Sequence, residues 1–437
     1  MTRQRRRGVR SYTDGRWFTP TLQAARHAHA LRSIIADIRA ALIRHEEQNA
    51  PRKRARKEVG EIAWQSCFEA VVCNCVGLPL DGYILALRAP RHWKPTRYFP
   101  TAFGYKIFRR TLDVMEECGF VCSDISAMRG TASRYVPSGQ LRERLEAAGA
   151  SLADVAHSVE PETIILTGDA QSEEGGRVWL PYDDIPETQR YREEMRIIRE
   201  AFAAADIRFL DDGLGPVPTE RRGLRRNFYH LPGYEHLQWQ CGGRIYSEWV
   251  TNLSRERRRS GALLVDRVPC REVDYGSLHL RLASAEAGVV LPAEVDPYAI
   301  DGLKPAHRDA LKVLLNAILT ARGPLRHWPK DFLKDFPEFP NKEWPIKRIR
   351  EAVLRAHPQL EGALANRQKG DLPPAYRLQW QESEMLVRVL LECQRRKLTA
   401  TPMHDAILVP EGRQEEAREV MLGVAKERSV VVPVNVK

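Results

Sequence analysis

The sequence predicts an α+β protein of more than one domain, and three observations lead there. Its 437 residues exceed what a single core holds, at about 150 residues per domain. Apolar residues recur at helical spacing through 22–47, 58–76, 187–204 and 379–398. Between these helices stand short apolar runs bounded by Gly, Pro or Asp, at 160–170, 205–211, 271–275 and 398–412, which read as strands.

The apolar fraction is 43% and no run of about 18 uncharged apolar residues occurs, so a membrane is not among the expected partners. The opening MTRQRRRGVRSYTDGRWF is charged but has no apolar stretch after it, which argues against a secretory signal. Eight scattered cysteines fit free, buried thiols in a reducing, cytoplasmic setting. The close pairs 73/75 and 118/122 lack the spacing of a zinc site. A net charge of +11 is concentrated in Arg3 and Arg5 to Arg7, then in 51–57, 221–226 and 255–259. Polyanions are the natural partner of such runs, although a basic run is also ordinary solvated surface.

Residues 1–82 form a basic helical region: a helix over 22–47, a Pro-led basic cluster at 51–57, a second helix over 58–76, and a break at 77–82. Across 83–155 a strand (YILALRA) precedes an aromatic and basic tract, then a helix ended by Gly119, a strand, a turn at 129–131, a returning strand through Tyr135, and a helix from Ser138. That order resembles a winged helix. Its wing would present Arg129 and Arg134, with Tyr135 between them and the next strand, to a phosphate backbone. The tract around 93–97 suggests further duplex contact. An ordinary small α+β domain with charged loops has the same order of elements. Residues 156–240 read as a connecting α/β scaffold without chemistry of its own.

The informative region is 241–437. REVDYGSLHLRLASAEAG puts Asp274 at the end of a short strand, just before a helix, and LTATPMHDAILVPEG sets His404 and Asp405 where two short strands meet. Two carboxylates on neighbouring strand ends suit a pair of Mg²⁺ ions, with Mn²⁺ as an alternative, because these ions take hard oxygen ligands and keep positions open for phosphates. Arg308 and Lys312, four apart in HRDALKVLLNAILTA, point to one side of a helix and would supply cations to a triphosphate.

In order, these segments resemble the palm of family A DNA polymerases. DYGSLHLRLAS looks like the first palm motif, DYSQIELR. Arg308 and Lys312 match the R-x3-K of the fingers helix, and MHDAILV is similar to the VHDE hairpin. GGRIY resembles both the TGR stretch of those enzymes and the GR-Y stretch of phage-type single-subunit RNA polymerases. QWQESEMLVRVLLECQRRKL stands where a helix precedes the hairpin, and a helix and strand follow it. The resemblance implies a right-hand palm over 241–437, with helical fingers inserted at about 300–378. It implies Asp274, Asp405 and Tyr275 as metal ligands, with Asp274, Asp405 and His404 catalytic. Arg308, Lys312, His279 and Asn316 would face the nucleotide, and Gly243, Arg244 and Gln381 the primer–template.

The sequence departs from the family at the residues that read sugar and base: His279 replaces a glutamate, Asn316 an aromatic residue, Ala317 a glycine, Thr320 and Ala321 a Tyr-Gly pair, and Ala406 a glutamate. Weak sugar discrimination is the expectation. No acidic exonuclease segment can be placed in the N-terminal half, so proofreading is not expected. The implied function is template-directed DNA synthesis from nucleoside triphosphates on a DNA primer–template, for a mobile replicon. Two alternatives remain: a primase or single-subunit RNA polymerase using ribonucleotides, and a DNA-binding replication protein on a polymerase fold that no longer catalyses.

Overall fold

Small sheets covered by helices alternate along the chain, giving a mixed α+β architecture. The computed structural model describes residues 16–49, 51, 54–80, 82–87, 90–128, 132–171, 177–321, 323–364 and 372–437. Two compact units are present: Met1–Glu162 with Leu214–Arg221, and Thr163–Gly213 with Arg222–Lys437. Among the described residues no helix is long and apolar enough to cross a membrane.

The first unit contains, in order, β1 (Arg16–Trp17), β2 (Leu22–Ala24), α1 (His29–Asn49), α2 (Glu58–Cys75), β3 (Ile84–Leu87), α3 (Tyr105–Glu117), β4 (Val121–Met128), β5 (Ala132–Pro137), α4 (Gly139–Ala147) and β6 (Val155–His157). A four-stranded sheet runs β1-β3-β5-β4, and β2 pairs with β6. The helix predicted over 22–47 therefore begins later. Residues 22–24 are drawn into a strand by pairing with 155–157, and the Ala24 N–H donates to Glu69 Oε1 at 3.0 Å. Helical periodicity carries no information about such a distant partner.

From its start, α1 buries Leu31, Ile34, Ile35, Ile38 and Leu42, one face at 3.6-residue spacing. After α3, Gly119 turns the chain with φ +75, a conformation that favours glycine. Ser138 caps α4, its hydroxyl accepting from the Leu141 N–H at 3.2 Å, a cap worth about 1 kcal/mol. Two expectations for this unit are corrected. Trp93 is 3% exposed and stacks on Phe108 at 4.5 Å between Phe18, Phe99 and Phe103, so it is core and not a duplex contact. Tyr135 is likewise buried against Phe18 and Phe108 and cannot meet a phosphate backbone. Arg97 pairs with Glu162 at 2.9 Å.

The second unit contains β7 (Ile164–Gln171), β8 (Arg177–Trp179), α5 (Pro186–Ala204), β9 (Ile207–Phe209), β10 (Leu224–Tyr229), β11 (Gly242–Ser247), α6 (Arg255–Arg259), β12 (Leu263–Val265), β13 (Val268–Tyr275) and α7 (Leu278–Glu286). It continues with α8 (Arg308–Thr320), α9 (Phe332–Asp335), α10 (Ile346–Ala356), α11 (Glu361–Leu364), α12 (Pro374–Arg395), β14 (Thr401–Met403), β15 (Ala406–Pro410), α13 (Gln414–Glu427) and β16 (Val434–Val436). One sheet runs β11-β10-β7-β8. The other runs β14-β15-β13-β12-β9, with β16 also on β13.

β13 is the central strand. β15 follows one edge from Cys270↔Pro410 to Asp274↔Ala406. On the other edge β12 pairs with its beginning and β16 with its end, from Val273↔Val436 to Tyr275↔Val434. α12 packs against β11, α5, α7, α8 and α13, which explains why its buried face is so wide. On α7, Arg281 is buried, and its guanidinium donates to the carbonyls of Leu291, Pro292 and Val431 at 3.0 Å each and of Ala293 at 3.2 Å.

Two of the basic runs are used in part inside this unit. Arg226 is fully buried, bonded to Glu384 Oε1 and Ser383 Oγ at 2.8 Å and to the Gly243 carbonyl at 2.9 Å. Arg257 grips Asp212 at 2.7 and 2.8 Å, and Arg259 meets Glu272 at 2.6 Å. An unpaired buried charge is costly, so these residues answer carboxylates and not a polyanion. The cysteines are free thiols, six of them buried, while Cys118 is half-buried and Cys122 exposed.

Candidate active site

The register brings the two aspartates together. Asp274 lies opposite Ala406 on one side and Asn435 on the other, and the Tyr275 N–H donates to the Asp405 carbonyl at 3.3 Å. Two non-glycine residues hold left-handed backbone beside them: His404 at φ +57, immediately before Asp405, and Ser277 at φ +57, at the entry to α7. Such conformations cost of order 1 kcal/mol each and persist only where the surroundings fix them. Tyr275 turns its phenol away, donating to the Met421 carbonyl at 2.7 Å, and burial raises its pKa. It can offer the site only main-chain oxygen.

Negative charge is concentrated here. Burial, then Glu382 and Asp274, push the Asp405 carboxyl up to about 6 from its ordinary 3.8. Asp274 Oδ1 is buried without a hydrogen-bond partner, while its Oδ2 accepts from Lys437 Nζ. His404 stands edge-on to Tyr246 at 5.9 Å, and its Nδ1 is buried without a partner. Burial, reinforced by the charge of Arg244, lowers its pKa.

Sequence reasoning missed Glu382. Its oxygens accept from Arg244 Nε at 2.6 Å and Nη2 at 2.7 Å, and Oε2 accepts from His279 Nε2 at 2.7 Å. Burial would raise this acid, but the His279 bond and the Arg244 charge outweigh it and bring it down to about 2. Arg244 in turn is raised by Glu382 and Asp405 against the opposing effect of burial. The signal was present in the Glu-Ser-Glu tripeptide at 382–384, polar residues inside the apolar face of a helix and all three buried. Gln381, next to it, instead bonds Glu286, and Gly243 is buried where an added Cβ would meet Arg226, Phe228 and Ser383.

Arg308, at the start of α8, is bonded to Asp296 at 2.7 and 3.2 Å, lies over the Tyr298 ring at 5.1 Å, and reaches Ser277 Oγ at 3.4 Å. Asp296 and Tyr298 were not foreseen from sequence. Burial raises Tyr298 to about 12; Arg308 opposes that shift, whereas Asp296 and Asp405 add to it. Lys312 and Asn316 are exposed on α8. Arg134 belongs to the first unit, its guanidinium 5.4 Å from the Tyr83 ring, and Arg129 lies outside the described residues.

The second unit thus gathers Asp274, Asp405, His404, Arg244, His279, Glu382 and Arg308 around two strand ends. Among the described residues no group of three His, Cys, Asp or Glu side chains is disposed to hold a metal ion. Asp274 and Asp405 are neighbours through the main chain of the hairpin, while Glu382 is committed to Arg244 and His279. No family model matches the chain, and no curated protein matches it.

Proposed function

We propose that 241–437 is a divergent palm of the family A polymerase type, with fingers at about 300–378, and that the protein extends a DNA primer on a template without proofreading. The observation that carries this reading is the meeting of Asp274 and Asp405 on adjacent antiparallel strand ends. Arg308 beside Ser277 supports it.

The residues fit a hard divalent cation such as Mg²⁺ or Mn²⁺: a buried carboxylate oxygen lacks a partner, and a neighbouring acid is raised by nearby negative charge. Asp274, Asp405 and the main chain at Tyr275 would hold it. When bound, a pair of such ions supplies activation of a primer hydroxyl and charge stabilisation at the leaving pyrophosphate. Arg308 would exchange Asp296 for a triphosphate oxygen, with Lys312 one helical turn on. Glu382 fixes the orientation of Arg244 and His279, presenting a framed wall to the nucleotide sugar. In the first unit, α3, β4, β5 and α4 would act as a winged-helix-like module on DNA. The setting is a cytoplasmic one, with a mobile replicon as the template.

A second reading, synthesis from ribonucleotides, is favoured by one observation. His279 is held by Glu382 through Nε2, which leaves a fixed ring with Nδ1 toward its other side, suited to hydrogen bonding a 2′-hydroxyl. Extension of a labelled primer–template with Mg²⁺ and either all dNTPs or all NTPs tests both. Extension with dNTPs is the expected result, extension with NTPs alone favours the second reading, and no extension with either removes both.

A further inference from the structure

The cations of the candidate site are not equally placed. Arg244 is held by Glu382, Arg308 by Asp296, and Arg259 by Glu272. Lys437 alone among the described residues bonds the carboxylate of Asp274. Its position is fixed by main chain: the Lys437 N–H donates to the Glu272 carbonyl at 2.9 Å, and the Glu272 N–H returns to the Lys437 carbonyl at 3.1 Å. That exchange extends the β13–β16 ladder by one step and delivers the ammonium to Asp274 Oδ2, while Oδ1 stays buried without a partner. Sequence comparison with the palm motifs assigned no role to this residue.

We infer that Lys437 is a tethered counter-ion of Asp274, a positioning residue whose charge any divalent cation on that carboxylate must either displace or bear beside it, and that it thereby sets the metal affinity of the site. This rests on the reading of Asp274 and Asp405 as metal ligands. With the ammonium on Oδ2 only Oδ1 is open to a divalent ion, so the lysine denies the ion the second oxygen and repels it at the first. Without a cation the same lysine offsets charge that would otherwise repel Asp405. The consequence is opposite in sign to that of a structural residue: removing Lys437 should tighten metal binding, not weaken it.

The test is a titration of the full chain with Mn²⁺, followed by electron paramagnetic resonance of free ion, for wild type, Lys437→Met, Lys437→Arg and Asp274→Asn, with circular dichroism to establish that each is folded. Lys437→Met should bind Mn²⁺ roughly tenfold more tightly, as expected for removing one competing charge where solvent screening is reduced. Lys437→Arg should stay near wild type, and Asp274→Asn should bind weakly. Equal affinity in wild type and Lys437→Met overturns the role of Lys437 but leaves the metal site standing. Absence of binding in both overturns the metal site as well.

Discussion

Glu382 holds Arg244 by two bonds at once, Nε to Oε1 at 2.6 Å and Nη2 to Oε2 at 2.7 Å, with the carboxylate only 2% exposed. Removing one partner of a buried pair strands the other, at a cost of about 3 kcal/mol. Glu382→Ala should therefore lower unfolding stability by about that amount in urea titrations. The folded acid titrates near 2, below its ordinary 4.5. Its contribution is then complete above pH 4.5 and disappears as pH falls toward 2. A variant as stable as wild type at neutral pH would contradict this.

Asp405 has the opposite sign. Its carboxyl is raised from 3.8 to about 6, so its contribution to stability is present below 3.8 and lost as pH rises through 6. At neutral pH, without divalent ions, Asp405→Asn should raise Tm by roughly 2–4 °C. Mg²⁺ should raise the Tm of wild type and leave that of the Asn variant unchanged. Differential scanning fluorimetry at several pH values reads both effects; a lower Tm for the variant at neutral pH would argue against the charge accumulation.

In primer extension, Asp274→Asn and Asp405→Asn should each remove activity while DNA binding persists. Arg308→Ala and Lys312→Ala should instead raise the nucleotide KM roughly tenfold, the value of one charge-assisted bond to phosphate. Unchanged KM in both would remove α8 from the nucleotide site.

Sugar choice is expected to lie with His279. The wild type should prefer deoxynucleotides weakly, and His279→Ala should lower the dNTP-to-NTP ratio of kcat/KM. Competition assays decide this, and a wild-type preference for NTPs that the variant loses would reverse the assignment.

In the first unit Trp93 should separate from the two arginines proposed to meet DNA. Trp93→Ala should destabilise by about 3 kcal/mol through the cavity it leaves, with an unchanged salt dependence of DNA binding. Arg129→Ala combined with Arg134→Ala should flatten that salt dependence, because fewer counter-ions are released. Overlaid salt titrations for the double variant would deny these two arginines a role in binding.

What the sequence made legible was local. The strand before Asp274, the hairpin at Asp405 and the helices α5, α8, α12 and α13 follow from periodicity and from Gly, Pro and Asp punctuation. What it concealed was pairing across long separations. Glu382 stands as a polar residue within the apolar face of a helix, and only β11 shows its partner by bringing Arg244 against it. Arg226 and Arg257 look like a polyanion footprint until Glu384 and Asp212 claim them. Trp93 stands in a basic tract, yet Phe108 and Phe18 enclose it. In each case residue type was visible and partner was not.

Arg281 hydrogen-bonds the segment after α7 through its carbonyl groups, those of Leu291, Pro292, Ala293 and Val295. Carbonyl oxygens are common to every amino acid, so these hydrogen bonds set the path of the stretch whatever side chains it carries, while the charges of Asp296 and Glu294 add to the arginine's hold. The chain leading to Asp296 and Arg308 is thus open to rewriting at little cost to its course. Loop libraries built over 292–295 with Arg281 untouched would read out how far that stretch governs the proposed nucleotide preference.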